Sequence, residues 1–416
     1  MLKITGGNKL YGDVHIPGAK NSVLPIMSAC LMNDAEVLLR GVPHIKDCDA
    51  MAKILGIMGC RVVHSGTDML ISTRNATLNS ISPLLAGEMR SSVFMLGPML
   101  MRFKQAKLAR PGGCDIGRRP IDIHLSGLRD MNVVVREDEE YVYCDASNIK
   151  PAEICLQFPS VGATENLMMV ACSAVGRSVI RNCAKEPEIV DLAKFLNSLG
   201  ASIKGAGGHT IIIDGKGKIF NRSIIYNPIA DRIVAGTYAL ACAMTGGELN
   251  IKGIKSENFS SVLSKISKNS CYIKYYNDRI SIVAHARPHA IDHIVTAPYP
   301  GFPTDMQSQM LAYLSVADGD SLVVENMFET RYRQVPQLVL MGADIKVDGA
   351  RAYVRGVDRL HGTKVVATDL RGGASLVLAG LVAEGDTYLD GTHYLDRGYD
   401  RIDQVLSSLG AQIHRL

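Results

Sequence analysis

FLNSLGASI, residues 195 to 203, reads as the end of an amphipathic helix, a glycine stop and the start of a strand. The same succession returns in ILGIMGCRV (54–62), GLRDMNVVV (127–135), LSKISKNSCYI (263–273), LVLMGADIKV (338–347) and LSSLGAQIH (406–414). The stop residues are Gly59, Asn132, Gly200, Asn269, Gly342 and Gly410, spaced 73, 68, 69, 73 and 68 residues apart. Spacing this even marks six copies of one unit. Asn stands in for Gly twice, and Asn is the next side chain to tolerate the left-handed backbone that ends a helix.

A second marker recurs in the same phase. SVLPIMSACLMND (22–34), IVAGTYALACAMTGG (233–247) and ASLVLAGLVAEGD (374–386) are small, apolar helices, each followed by a short strand such as EVLLRGV (36–42) or ELNIKGI (248–254). Helices apolar all round belong inside, whereas the helices of the first marker carry charge on one face and belong outside. The expected unit is therefore strand, helix, strand, helix and a strand pair. The expected fold class is α/β, with two domains of three βαβαββ units, sheets outside and helices packed within.

Composition agrees and excludes several classes. With 416 residues, 47% of them apolar, the chain can bury two large cores, and no apolar run reaches a membrane span of about 18 residues. The start, MLKITGGNKLYGDV, lacks the features of a secretory signal, so a cytoplasmic protein is expected. Ten cysteines without C-x-x-C spacing point to neither a disulfide framework nor a zinc site, so no metal or cofactor is expected. A net charge of +4 without basic runs argues against nucleic acid as a partner.

The residues at the starts of the six inner helices are Lys20, Arg90, Ser160, Arg232, Asp305 and Arg371, at intervals of 70, 70, 72, 73 and 66. They are equivalent positions in six copies. Helix N-termini attract anions. Ser160 and Asp305 also fit plain capping, but Lys or Arg at a helix start opposes the dipole and points to a polyanionic ligand.

Unit two departs from its siblings. The stretch from the second strand to the helix stop covers 18 residues in units one and three and 16 in unit five, but 21 from Pro111 to Asn132. The excess falls on PGGCDIGRRP (111–120), where Cys114 sits among glycines and arginines. Either this is a working loop with an activated thiolate, or Cys114 is a surface thiol on a turn.

Taken together, GAKNSVLPI (18–26), MRSS (89–92), PGGCDIGRRPIDIH (111–124), PSVGATEN (159–166), EPEIVD (186–191), PTDMQ (303–307), TDLRGGASLVLAG (368–380) and DRGYDRI (396–402) resemble the UDP-N-acetylglucosamine 1-carboxyvinyltransferases. These are enolpyruvyl transferases that open peptidoglycan synthesis, and the resemblance runs end to end. It implies two inside-out α/β barrels with the active site in the cleft between them. The implied domains are 20–228, carrying the Cys loop, and 1–19 with 229–416, in which the N-terminal strand completes the second barrel.

The resemblance implies transfer of the enolpyruvyl group of phosphoenolpyruvate to the 3-hydroxyl of UDP-N-acetylglucosamine, without a metal. Cys114 is then the acid that protonates the methylene carbon, and it can itself attack the activated carbon; a Cys114→Asp protein should still turn over yet resist epoxide alkylators such as fosfomycin. Asp305 is the base toward the sugar hydroxyl. Lys20, Asn21, Arg119, Arg371 and Arg397 hold phosphoenolpyruvate, with Lys20 and Arg397 also serving catalysis, and Arg232 lines the cleft. Asn21, Arg90, Arg119, Pro120, Ile121, Asp122, Ile123, Ser160, Val161, Gly162, Asp305 and Met327 contact the sugar nucleotide. His124 is either a ligand contact or a buried structural imidazole, and Glu188 either a family position or a salt-bridge partner.

Two departures stand out: Phe158 where many members have lysine, which touches diphosphate affinity, and Arg118, which adds a cation to the loop. The rivals are a shikimate 3-phosphate enolpyruvyl transferase, a weakly active regulatory copy and an RNA-processing repeat protein. A monomer is expected.

Overall fold

The computed structural model describes residues 1–110, 121–267, 271–285 and 287–416. Cys114, Arg118, Arg119, Pro120 and the Asn269 stop lie outside the described residues. The described chain forms six four-stranded sheets of one pattern. In unit two, Ser80–Ile81 lies parallel to Gln105–Ala109, which runs antiparallel to Tyr141–Asp145, which in turn pairs with Val134–Glu137. A parallel neighbour requires a crossover, and the inner helix supplies it in units two, three, five and six.

The helix stops behave as their residue types require. Gly59, Asn132, Gly200, Gly342 and Gly410 have φ of 97°, 62°, 114°, 95° and 104°. At Gly59 a Cβ would also stand 2.4 Å from the Asn75 carbonyl oxygen, so no other residue fits that turn.

The inner helices are α1 (Lys20–Ala29), α2 (Leu96–Phe103), α3 (Val161–Ala171), α4 (Arg232–Thr245), α5 (Gln307–Ser315) and α6 (Leu370–Val382). Two of them do not start as α-helix. Arg90–Met95 and Thr304–Met306 are 3₁₀ turns leading into α2 and α5. The bodies of these helices are buried all round, as their apolar sequences demand, whereas the outer helices bury one face.

The described residues cluster into two compact units, each with its own core. One consists of residues 18–110 and 121–229 and packs α1, α2 and α3 together. The other joins Met1–Pro17 to Ala230–Leu416 and packs α4, α5 and α6 together. The chain order is permuted in both. Ile224–Tyr226 returns to pair with Val37–Leu39 in the sheet of unit one. Leu2–Thr5 inserts between Asp386–Asp390 and Gln412–Arg415, and Tyr11–His15 lies beside Glu248–Lys252.

Candidate active site

In the unit of residues 18–229, α1 begins with Lys20 and Asn21. The Lys20 ammonium meets the Asp47 carboxylate at 2.6 Å, with side-chain exposures of 12% and 3%. The charge that opposes the helix dipole is thus answered by an acid from the outer helix Lys46–Ile57. The same first turn is tied down by Asp191. Ser22 Oγ donates to Asp191, as do Tyr226 OH at 2.7 Å and the Ile229 N–H at 3.0 Å. Asp191 therefore holds the turn bearing Lys20 and Asn21 to the returning strand.

Ser160 caps α3, its hydroxyl accepting from the Ala163 N–H at 3.3 Å, and Val161 and Gly162 form the first turn. The His124 ring lies against this turn, since a Cβ on Gly162 would be 3.2 Å from His124 Cε1. His124 is buried, and Asn166 Nδ2 lies 3.0 Å from its Nδ1. The Asn166 amide is fixed by its other bonds, to the Val93 carbonyl through Nδ2 and from the Gly97 N–H to Oδ1. Nδ1 is therefore the acceptor and the ring proton sits on Nε2. Burial, and then the Arg90 guanidinium, push the His124 pKa down to about 3, so the imidazole is neutral. Ile121 is buried, Ile123 half-buried and Asp122 exposed, all at the start of the outer helix Asp122–Asp130. Phe158, two residues before the cap, is 43% exposed.

Glu188 lies in an acidic group with Glu165 and Glu186. Burial, followed by the charges of Glu188 and Glu186, raises the Glu165 carboxyl well above the usual range. Neither Glu165 oxygen has a hydrogen-bond partner among the described residues, so the site favours its protonated form.

In the other unit, Asp305 sits in the 3₁₀ turn before α5, neither at its cap nor at the cap of α5. This corrects the capping role read from the sequence. Its carboxylate joins two buried guanidiniums: Arg331 Nη2 donates to Oδ1, and Arg371 Nη2 donates to Oδ2 at 2.9 Å. Arg331 Nε also donates to the Thr304 carbonyl at 3.2 Å. Burial works against the Arg371 charge, but Asp305, Tyr399 and Asp231 outweigh it and leave the Arg371 pKa raised.

Arg232 is the first residue of α4 and Arg371 the second of α6, so the true caps are the acids before them. Asp231 accepts from the Ile233 and Val234 N–H groups, and Asp369 from those of Arg371 and Gly372, at 2.9 to 3.0 Å. The Arg232 guanidinium lies over the Tyr299 ring at 5.6 Å. Arg397 is half-buried at the end of the 3₁₀ turn Leu395–Arg397. Met327 is half-buried in a loop organised by Glu325, whose carboxylate takes the Met327 N–H at 2.8 Å and the Thr304 hydroxyl at 2.9 Å.

Tyr399 ties the three inner helices together. Its buried hydroxyl lies 2.9 Å from Thr237 Oγ1 on α4, accepts from Gln309 Nε2 on α5 at 3.1 Å, and accepts from Arg371 Nη1 on α6 at 3.4 Å. Thr237 already donates to the Ile233 carbonyl, so Tyr399 donates to Thr237.

The sequence reading missed Asp47, Asp191, Glu325, Arg331 and Tyr399 as site residues; Asp191 and Tyr399 lie in the EPEIVD and DRGYDRI stretches, and no local pattern singles out the other three. Asp231 and Asp369 did carry a signal, an Asp at a helix cap. Each unit gathers charged, buried groups at the starts of its inner helices, an arrangement suited to binding anions.

These side chains sit on a chain matched over residues 4–406 by the model of the EPSP synthase (3-phosphoshikimate 1-carboxyvinyltransferase) family. The chain belongs to the enolpyruvyl transferase family. Within it, the chain is 48% identical over 415 residues to UDP-N-acetylglucosamine 1-carboxyvinyltransferase 2 of Caldanaerobacter subterraneus, covering 100% of this chain and 99% of that one. It is 43% identical to UDP-N-acetylglucosamine 1-carboxyvinyltransferase of Halorhodospira halophila, with 100% and 99% covered. Among solved enolpyruvyl transferases, NikO from Streptomyces tendae superposes with a TM-score of 0.90 at 24% identity, over 99% of this chain and 98% of that one. EPSP synthase from Acinetobacter baumannii gives 0.74 at 15%, over 99% of each chain. At those identities the two structures bear on the fold, and they agree with the inside-out α/β architecture of this enolpyruvyl transferase. None of its helices, among the described residues, is long and apolar enough to cross a membrane.

Proposed function

We propose that this enolpyruvyl transferase moves the enolpyruvyl group of phosphoenolpyruvate onto the 3-hydroxyl of UDP-N-acetylglucosamine, releasing phosphate, in the first committed step of peptidoglycan synthesis. The observation that carries the reading is 48% identity along the whole chain to a relative of that name. We place the reaction in the cytoplasm.

The chemistry assigns the roles. An enol phosphate accepts a hydroxyl only after its methylene carbon is protonated, and Cys114 is the proposed donor. The sugar oxygen then bonds to the neighbouring carbon while its proton passes to Asp305. In the second half, the bond from that carbon to the phosphate oxygen breaks to release phosphate, the methyl group returns a proton to the Cys114 thiolate, and the double bond reforms as an enol ether of the sugar.

Lys20, Arg119, Arg371 and Arg397 are proposed to hold the phosphate and carboxylate through the tetrahedral stage, so protein cations balance the substrate charge. Asp47 and Asp305 keep Lys20 and Arg371 oriented by the ion pairs described above. Asn21, Arg90, Arg119 to Ile123, the Ser160 to Gly162 turn, Asp305 and Met327 are proposed to bind the sugar nucleotide. The helix start at Ser160 offers backbone N–H groups to the diphosphate. His124, neutral with its proton on Nε2, offers one donor and no charge.

The test is phosphate release from phosphoenolpyruvate with UDP-N-acetylglucosamine and, separately, with shikimate 3-phosphate. Release with the sugar nucleotide alone is expected. Release with shikimate 3-phosphate alone would replace this reading by the other branch of the family. Binding without turnover on either would identify a regulatory copy.

A further inference from the structure

All six sheets share one strand order, so their outer faces can be compared row by row. In five of them the row crossing the outer face contains a lysine: Lys107, Lys204, Lys274, Lys346 and Lys364 in units two to six. Charges on exposed sheet surfaces keep copies of a protein apart. Unit one has none in that row. There the register aligns Ile225, Leu38, Leu70 and Val63 across all four strands. Their inward neighbours Val37, Leu39, Met69 and Ile71 fill the core, so the row faces outward. Ile225 is 61% and Val63 42% exposed, and Leu38 and Leu70 are half-buried. An unbroken aliphatic row on a surface whose five siblings are charged calls for a covering partner.

The charges beside the row indicate which partner. Arg40 and Asp68 flank it on one side, 3.9 Å apart and about half exposed. Consider two copies of this face with a two-fold axis between them, parallel to the strands. The axis sets Ile225 on Val63, Leu38 on Leu70, and Arg40 of each copy on Asp68 of the other. Every apolar residue of the row meets an apolar one, and Arg40 and Asp68 each meet the opposite charge, the self-complementarity that a two-fold interface requires; Glu36 and Arg61, on the other side of the row, stay at the rim. We infer that the outer face of the unit-one sheet is a docking surface for a second copy of this chain. The two sheets stack face to face as in a β-sandwich. The inference is independent of the proposed reaction, and it departs from the monomer expected from the sequence.

Sedimentation equilibrium of the full chain tests it. A concentration-dependent dimer is expected, with a dissociation constant of about 10 µM for so small a face. Leu70→Lys should weaken it at least about tenfold, with per-protomer turnover and thermal midpoint unchanged. Arg40→Asp should also weaken it, and the double variant Arg40→Asp/Asp68→Arg, which restores opposite charges across the axis, should recover it. The charge pair lies on the surface, so it carries the test even if Leu70→Lys fails to fold. A chain that stays monomeric at about 200 µM, well above that constant, overturns the proposal. So does a dimer indifferent to Leu70→Lys and Arg40→Asp, or one the double variant does not recover.

Discussion

Arg371 donates to Asp305 across 2.9 Å, joining the start of α6 to the 3₁₀ turn before α5, while Arg331 holds the other carboxylate oxygen. One acid thus neutralises two guanidiniums that are 5% and 2% exposed. Removing it leaves two buried cations facing each other. Breaking a buried pair on one side costs about 3–5 kcal/mol, and the 28% exposure of Asp305 places the expected loss at the lower end, about 3 kcal/mol.

Asp305→Ala should therefore lower the urea midpoint strongly as well as abolish turnover. Asp305→Asn keeps an acceptor for one arginine and should recover part of the stability but not the activity. The two effects separate the structural role of the carboxylate from its proposed role as base. Equal midpoints for Ala and wild type would show that the ion pairs carry no stability.

Tyr399→Phe removes a hydroxyl that Thr237, Gln309 and Arg371 share. The change leaves buried amide and hydroxyl groups short of a partner, at a cost of about 1–3 kcal/mol. Arg371 retains Asp305 but loses its second anchor. The expected result is a raised KM for phosphoenolpyruvate with a smaller change in kcat, measured by steady-state phosphate release. A fall in kcat with KM unchanged would place Tyr399 in the chemical step instead.

The barrel was readable because its signals are local and repeated six times. A helix stop at Gly200 or Asn132 must take positive φ, and only a few residue types permit it. An inner helix such as α4 must be apolar on every side. The start residues could be found by phase alone. Their partners could not: Lys20 meets Asp47, Ser22 meets Asp191, and Arg371 meets Tyr399 through pairings between different elements. No sequence period relates these residues. The caps Asp231 and Asp369 were passed over because the cations beside them drew the reading, although an acid before a helix is the commoner signal. The aliphatic row of unit one depends on strand register, which a sequence of short strands leaves open.

His124 gives a pH test. Its folded pKa of about 3 lies below the unfolded value near 6.5. Between those values the unfolded chain binds a proton that the folded chain refuses, so this residue's contribution to stability is lost as pH falls from about 6.5 towards 3, at about 1.4 kcal/mol per pH unit. His124→Gln should flatten the stability profile by one proton over that range. The His124 ring resonances should not titrate between about pH 5 and 8. A midpoint near 6.5 would mean that the ring is solvated.

Glu165 carries the opposite sign. Its folded pKa lies above the unfolded value, so the contribution is fully present below about pH 4.3 and is lost as pH rises towards the folded pKa. Above the unfolded value, the fold favours a proton that the unfolded chain releases. Glu165→Gln supplies an uncharged side chain of similar shape and removes that cost. The variant should melt higher than the parent at pH 8, by several degrees if the gain is about 2 kcal/mol, and the gap should close towards pH 4. Glu186 and Glu188, whose charges help to raise the Glu165 pKa, stay in place. A variant that melts lower at pH 8 would mean that Glu165 is ionised and paired in the fold.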